Sequence, residues 1–320
     1  MYNVTNFIYE KGVNRNMAEN VLNNTTNAVF IPTIIAQKCL QRFPSYLTLA
    51  KNVARDSDYE TAKVGATIQV AKTGAVTAND KVAGVAFTKQ NPTGTNVSVT
   101  LNKHKEVTFT IDDVTKVLEN QNTQDKYGQD GAIALAEAVE TDLASLHPSI
   151  TSTITWDRTS ATTIDSSFLK IRKYFTDQKV PKVEQRYFYT DATVFNDFLG
   201  VDKYVNASVR GGSNSIADGV VIRTYGFEIS ESQLIQVTGS PVAYHNLAYT
   251  RDALVLASRP LAQPQGFGGN YAVINDESIG LSLRTLFWYN ADLGAHQLTI
   301  DLLYGVAILD QRRVVEVESF

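Results

Sequence analysis

Four histidines, at positions 104, 147, 245 and 296, and one cysteine, Cys39, are the residues best suited to bind a metal or move protons near neutral pH. They are scattered. No HExxH pair occurs, no two Cys or His residues stand at ligand spacing, and no metal site is expected. The chain also lacks a GxSxG elbow, a Walker phosphate loop and a GxGxxG following a strand. The glycine clusters RGGSNS (210–215) and GFGGN (266–270) lead into no helix N-terminus and read as flexible loops. Asp112 and Asp113 are adjacent, so on a strand they point apart, and at a helix start they complement the dipole. Asp130, Glu137, Glu140 and Asp142 share one side of a helical segment and read as a solvated face. No catalytic centre and no cofactor site can be assembled from these pieces. An α+β enzyme therefore stays only as an alternative that turnover dependent on Asp112 or His245 would revive.

The elements that would position such residues are more informative. From Val97 to Ile111 the chain reads VSVTLNKHKEVTFTI, with the apolar residues Val97, Val99, Leu101, Val107, Phe109 and Ile111 all on odd numbers and every even position polar. Side chains alternate faces along a strand, so this predicts one ribbon, roughly 50 Å long, with a greasy and a polar face. A ribbon of that length suits a protein that reaches a neighbour. Upstream, residues 56–94 are poor in core-forming residues apart from short β pieces such as ATIQV (66–70). Joined to the ribbon they predict a two-stranded projection, marginally stable on its own. Residues 1–29, with eight asparagines, read as an extended arm, either frayed or ordered by a partner subunit.

Helices are expected from Pro32 to about Arg42, with Ile34, Ile35, Cys39 and Leu40 inward, and from about Asp125 to His147, closed by Pro148. In the second, Ala132, Leu135, Ala136, Val139, Leu143 and Leu146 recur at steps of three and four. A further helix starts after Asp165 and ends before Pro181. Strand RYFYT (186–190) is followed by Asp191 as N-cap of a helix carrying Val194, Phe195, Phe198 and Leu199. Further β pieces are GVVIRTYGFEI (219–229), AYTRDALVLA (248–257), IGLSLRTLFWY (279–289), HQLTIDLLYGVAIL (296–309) and RVVEVES (313–319). Strands and helices mix without a regular βαβ order, which argues an α+β fold.

Composition bounds the rest. The chain has 320 residues, 43% of them hydrophobic, enough for one large core or two smaller ones. One cysteine excludes an internal disulfide framework and fits a reducing compartment. MYNVTNFIYEKG has no signal-peptide pattern, and apolar runs such as ALVLA (253–257) are too short to span a bilayer. With 29 basic against 33 acidic residues, no strong polyanion affinity is expected.

Taken together, several segments resemble the major capsid protein of tailed bacteriophages, the Hong Kong 97-type fold. FIPTIIAQKCLQRF (30–43) is similar to the family's opening helix. VGATIQV (64–70) and NKHKEVTFTIDDV (102–114) resemble the arms of its extended loop, and ALAEAVETDLA (134–144) its spine helix. RYFYTDATVFNDFL (186–199), TYGFEISES (224–232), LAYTRDALVLASRPL (247–261) and TIDLLYGVAIL (299–309) resemble, in order, its axial domain and closing strands. The resemblance covers about residues 28–318.

It implies an α+β chain with an N-terminal arm (1–29), a peripheral domain in three parts (30–54, 97–150 and 260–298), an extended β-hairpin loop (55–96) and an axial domain (151–259) with closing strands at 299–320. Leu135, Val139 and Leu143 would line the spine helix. Lys72, Val76, Lys81, Phe87 and Lys89 would make inter-subunit contacts from the extended loop. Arg210, Gly211, Gly212 and Asn214 would sit at the capsomer centre, where glycines let copies crowd around five- and six-fold axes. The implied function is a virion shell subunit, assembled in the bacterial host cytoplasm, that forms pentamers and hexamers around double-stranded DNA without sequence-specific binding. Its implied partners are further copies of itself, a portal protein, a decoration protein and a separate scaffolding protein, the last because only about 27 residues precede the match. No cofactor, metal or membrane is implied. The alternative within the same fold is an encapsulin-type compartment shell.

Overall fold

The segment HQLTIDLLYGVAIL has apolar residues on both faces, which suits a strand covered on both sides. The computed structural model, which describes residues 37, 39, 47–55, 67–72, 76–92, 94–112, 123–205, 223–266, 268–276 and 280–320, places it at the centre of the larger core. In chain order the strands are β1 (Ala54–Arg55), β2 (Thr67–Lys72), β3 (Thr95–Thr100), β4 (Lys103–Asp112), β5 (Thr153–Thr155), β6 (Arg186–Thr190), β7 (Arg223–Thr224) and β8 (Phe227–Glu231). They continue as β9 (Val237–Thr238), β10 (Ala243–Thr250), β11 (Leu254–Arg259), β12 (Asn270–Asp276), β13 (Leu281–Asn290), β14 (Ala295–Ile308) and β15 (Val314–Ser319). The helices are α1 (Thr123–Ala144), α2 (Ala161–Asp177), α3 (Ala192–Leu199) and α4 (Asp202–Val205). The mixture is α+β, as expected.

Two large sheets and one hairpin carry the chain. The first sheet runs β1-β11-β14-β13-β12, with β4 also paired to β14. Helix α1 lies on it, and Leu135, Val139 and Leu143 are fully buried against Leu298, Ile300, Leu302 and Tyr304. Gly131 permits that close approach: a Cβ there would stand 3.1 Å from the Phe109 ring. The second sheet runs β5-β15-β10-β6-β8-β7, with β9 paired to β10. Helices α2 and α3 cover one face of it over an aromatic core of Trp156, Phe168, Phe175, Phe188, Phe198 and Phe227. Edge-to-face contacts prevail there; Phe168 meets Phe198 at 5.1 Å and 83°. The other face supplies Tyr189, Leu247, Tyr249 and Val314 to the core under the first sheet, so the two sheets share an interior.

Besides the passage through α1 from β4 to β5, the chain crosses between the sheets at two adjacent points. One is the 3₁₀ turn Arg251–Ala253 between β10 and β11; the other is the 3₁₀ turn Gln311–Arg313 between β14 and β15. They are tied by Leu309 and Asp310, whose N–H groups both donate to the Ala253 carbonyl at 2.8 and 3.2 Å.

Several expectations change. AYTRDALVLA is not one β piece: it divides at Arg251–Asp252 into strands of different sheets, because two charged residues break the apolar run. The expected domain limits at 259/260 and 298/299 do not follow the sheets, since β11 (Leu254–Arg259) and all of β14 (Ala295–Ile308) belong to the first sheet. The second helix begins at Ala161, capped by Ser160 and Thr163, rather than after Asp165. Helix α1 ends at Ala144, and His147–Ser149 form a separate 3₁₀ turn. The ribbon at 97–111 is two strands, not one. Asn102 N–H donates to the Thr100 carbonyl at 3.1 Å, and the bend sends β3 to pair with β2 while β4 pairs with β14. Gly305 of β14 makes room for it: a Cβ there would lie 2.2 Å from the Thr100 oxygen. The 1–29 arm, and the 32–42 helix beyond its helical residues Gln37 and Cys39, lie outside the described residues.

Candidate functional site

The alternation that marks the ribbon places its odd residues inward, but inward is toward this same chain. Val99 buries with Ile68, Val70, Val255, Ala257 and Leu309, and Val107 and Phe109 pack into the main core. The base of the hairpin is thus bound to its own subunit. Lys72, expected to contact another subunit, closes that base: its Nζ is 2.9 Å from Asp310 Oδ2. Burial works to raise the Asp310 pKa, but hydrogen bonds from Arg312 and Lys72 overcome it and hold the carboxyl at about 2.

Beyond the base the chain changes character. Every residue from 76 to 92 is exposed. Val76, Val82, Val85 and Phe87 are 60–80% accessible, a density of bare apolar side chains unusual for one short segment. The tip is locally ordered. Gly84, at φ +81°, turns the chain, Lys81 caps the Val82 and Val85 carbonyls, and its ammonium lies 5.0 Å from the Phe87 ring centre. Thr77 N–H donates to Gln90 Oε1 at 3.0 Å across the loop. Val76, Lys81, Phe87 and Lys89 therefore stand together on one exposed projection, whereas Lys72 is committed to the body. The other expected contact group, Arg210, Gly211, Gly212 and Asn214, lies outside the described residues.

The acidic side of α1 is a solvated face only in part: Asp130 and Glu137 are exposed, but Glu140 and Asp142 are not. Glu140 is 1% exposed, and its carboxylate accepts the N–H groups of Thr48, Leu49 and Ala50 at 2.6, 2.9 and 3.0 Å. Burial pushes its pKa up, and the three backbone donors oppose that rise. Asp142 is bound by the Tyr304 hydroxyl and by Lys103 and Lys105. Nothing in the local pattern distinguishes these two from Asp130 and Glu137.

Two histidines that look isolated in the sequence meet in the structure. The His147 and His245 rings stack at 3.9 Å and 20°, and the Nδ1–H of each donates to Glu316 Oε1, at 3.0 and 2.6 Å. Thr153 donates to Glu316 Oε2 at 3.0 Å, and the Thr238 hydroxyl bonds His245 Nε2. The three acid and imidazole groups are buried and within ligand reach of one another. A metal binds imidazole in the ring plane at about 2.0–2.1 Å, and two nearly parallel rings share no such point near both nitrogens. The geometry is that of a hydrogen-bond network joining β5, β9, β10, β15 and the 3₁₀ turn His147–Ser149. Only tertiary contact reveals it, because its members come from three distant parts of the chain.

No protein-family model and no curated protein sequence matches the chain. Solved structures do. The capsid of cyanophage P-SCSP1u superposes with a TM-score of 0.61 at 12% identity, covering 84% of this chain and 86% of that one. A chain from Mycobacterium phage Che8 gives 0.60 at 18% identity over 86% and 90%. The mature capsid of bacteriophage PhiM1 gives 0.60 at 13% over 85% and 87%. The fold is that of phage capsid proteins, in agreement with the Hong Kong 97-type resemblance. Among the described residues, no helix is long and apolar enough to cross a membrane.

Proposed function

We propose that the chain is the structural subunit of a phage head, and that copies join by seating the hairpin tip, residues 76–92, on an adjacent subunit. The observation that carries this reading is the contrast within one hairpin: a base buried in its own subunit and a tip with Val76, Val82, Val85 and Phe87 bare. The fold shared with capsids over more than four fifths of the chain supports it. Two sheets with a common interior give a rigid body, and a projection gives reach, which suits the heterologous contacts of a closed shell. Many weak tip contacts become durable together. In this reading the first sheet with α1 is the peripheral part, the second sheet with α2 and α3 the axial part, and rings of five and six copies enclose double-stranded DNA. A portal, a scaffolding protein and a decoration protein complete the set of partners that the resemblance implies.

Electron microscopy of purified protein, assembled with its phage partners, tests the reading. Shells are expected from the native chain, while Phe87→Asp with Val85→Asp should leave folded, unassembled subunits because a charge cannot be buried unpaired. Normal shells from the double variant would remove the tip from the interface. A native chain that stays a small monomer with every partner supplied would overturn the shell reading itself.

A further inference from the structure

On the second sheet, at the end of α2, lies a cavity of about 150 Å³ lined by Arg172, Thr176, Lys182, Glu184, Arg186, Tyr225 and Gly226. Arg186, at the start of β6, is its floor. It is 6% exposed, sandwiched with its guanidinium carbon 5.2 Å from the Phe175 ring centre and 5.8 Å from that of Phe227. Among the described residues its one hydrogen bond is a long one, Nη2 to the Val180 carbonyl at 3.4 Å, and its buried Nε has no partner there. A buried guanidinium is normally matched by a carboxylate, and leaving it unmatched is costly. Among the described lining residues the one acid, Glu184, is paired with Arg313, and its charge reaches Arg186 only as the smallest of the effects on it. Arg172 and Lys182 are exposed at the rim, and Arg172 is near enough that its charge, after burial, weakens the hold of Arg186 on its proton. Gly226, at φ +88°, leaves open space where a Cβ would stand.

We propose that this cavity is an oxyanion site for a phosphate group, with Arg186 as its buried anchor and Arg172 and Lys182 as its rim. Among the described lining residues three cations stand against one acid, Glu184, which Arg313 already pairs, so a dianion matches the charge better than a single carboxylate does. A planar guanidinium matches the oxygens of a phosphate, and the size admits one phosphate. A free phosphate and the terminal phosphate of a nucleic acid share this chemistry, and the two arms of the test distinguish them. The inference does not depend on the shell reading, since it concerns the single subunit.

The test is calorimetric titration of the full-length, unassembled chain with inorganic phosphate and, separately, with a short oligonucleotide with and without a 5′-phosphate, at constant ionic strength in a non-coordinating buffer. Saturable binding of inorganic phosphate, weakened tenfold or more by Arg172→Gln with Lys182→Gln, is the expected result. Binding of the oligonucleotide only when phosphorylated, with the same loss, would support the site and assign nucleic acid as the source. Arg186→Met should abolish either signal, and the rim variant guards against a fold lost with Arg186. Absence of binding in both arms, or binding unchanged in the rim variant, would overturn the proposal.

Discussion

Two buried acids show how a single side chain can hold distant parts of this chain. Glu140 supplies the acceptor for three consecutive N–H groups at the start of the 3₁₀ turn Ala50–Asn52. Glu140→Ala would strand them, at about 1–3 kcal/mol for each buried donor, so a loss of several kcal/mol is expected in urea unfolding. Glu140→Gln, which keeps one acceptor oxygen, should lose less; equal losses would mean that the carboxylate does not act as the acceptor. Glu316 does the same for two imidazoles. Burial holds the His147 pKa below its ordinary value, the Glu316 carboxylate opposes this, and the charge of His245 reinforces it, with Glu318 acting weakly against. Below about pH 6.5 the unfolded chain therefore takes up a proton that folded His147 resists, and stability falls as the pH is lowered through that window. His147→Gln should flatten the dependence of the unfolding midpoint on pH between about 7 and 5. An unchanged slope would show that His147 does not contribute to it.

At the scale of elements, the bend at Leu101–Asn102 decides where the hairpin goes. Across 97–111 neither Gly nor Pro marks a turn, and the signals present, Asn102 and the lysines Lys103 and Lys105 on the apolar face, are weak ones. The cause lies two hundred residues away, where Gly305 lets β14 press against the backbone of Thr100. Gly305→Val should push β14 and the bend apart, and because the obstacle is backbone rather than a flexible side chain, little relief is available. We expect a destabilised fold and faster amide exchange in β2 and β3 than in β13, read by hydrogen exchange. Uniform loss of protection in both would place the damage in the whole first sheet instead of the hairpin.

Across the whole molecule, the buried joint between the sheets contrasts with the bare tip. Amides of residues 76–92 have few mutual hydrogen bonds and should exchange rapidly in the free subunit, then become protected on assembly. Equal exchange in both states would exclude the tip from contacts. What the sequence by itself determined is what depends on neighbours along the chain: the α+β mixture, the apolar stripe Leu135, Val139 and Leu143, the Asp191 cap, and the inward odd face of the ribbon. Periodicity and capping report these because helices and strands have fixed repeats of 3.6 and 2. The tertiary structure alone decided which body the ribbon's face packs on, that Lys72 serves its own subunit, and that Glu140, His147, His245 and Glu316 are buried. Arg186 is the plainest case. RYFYT reads as a buried strand, but whether its leading arginine meets a carboxylate or an empty cavity depends on where α2 and the Tyr225–Gly226 turn come to rest, and that is set by packing of the aromatic core between residues far apart in sequence.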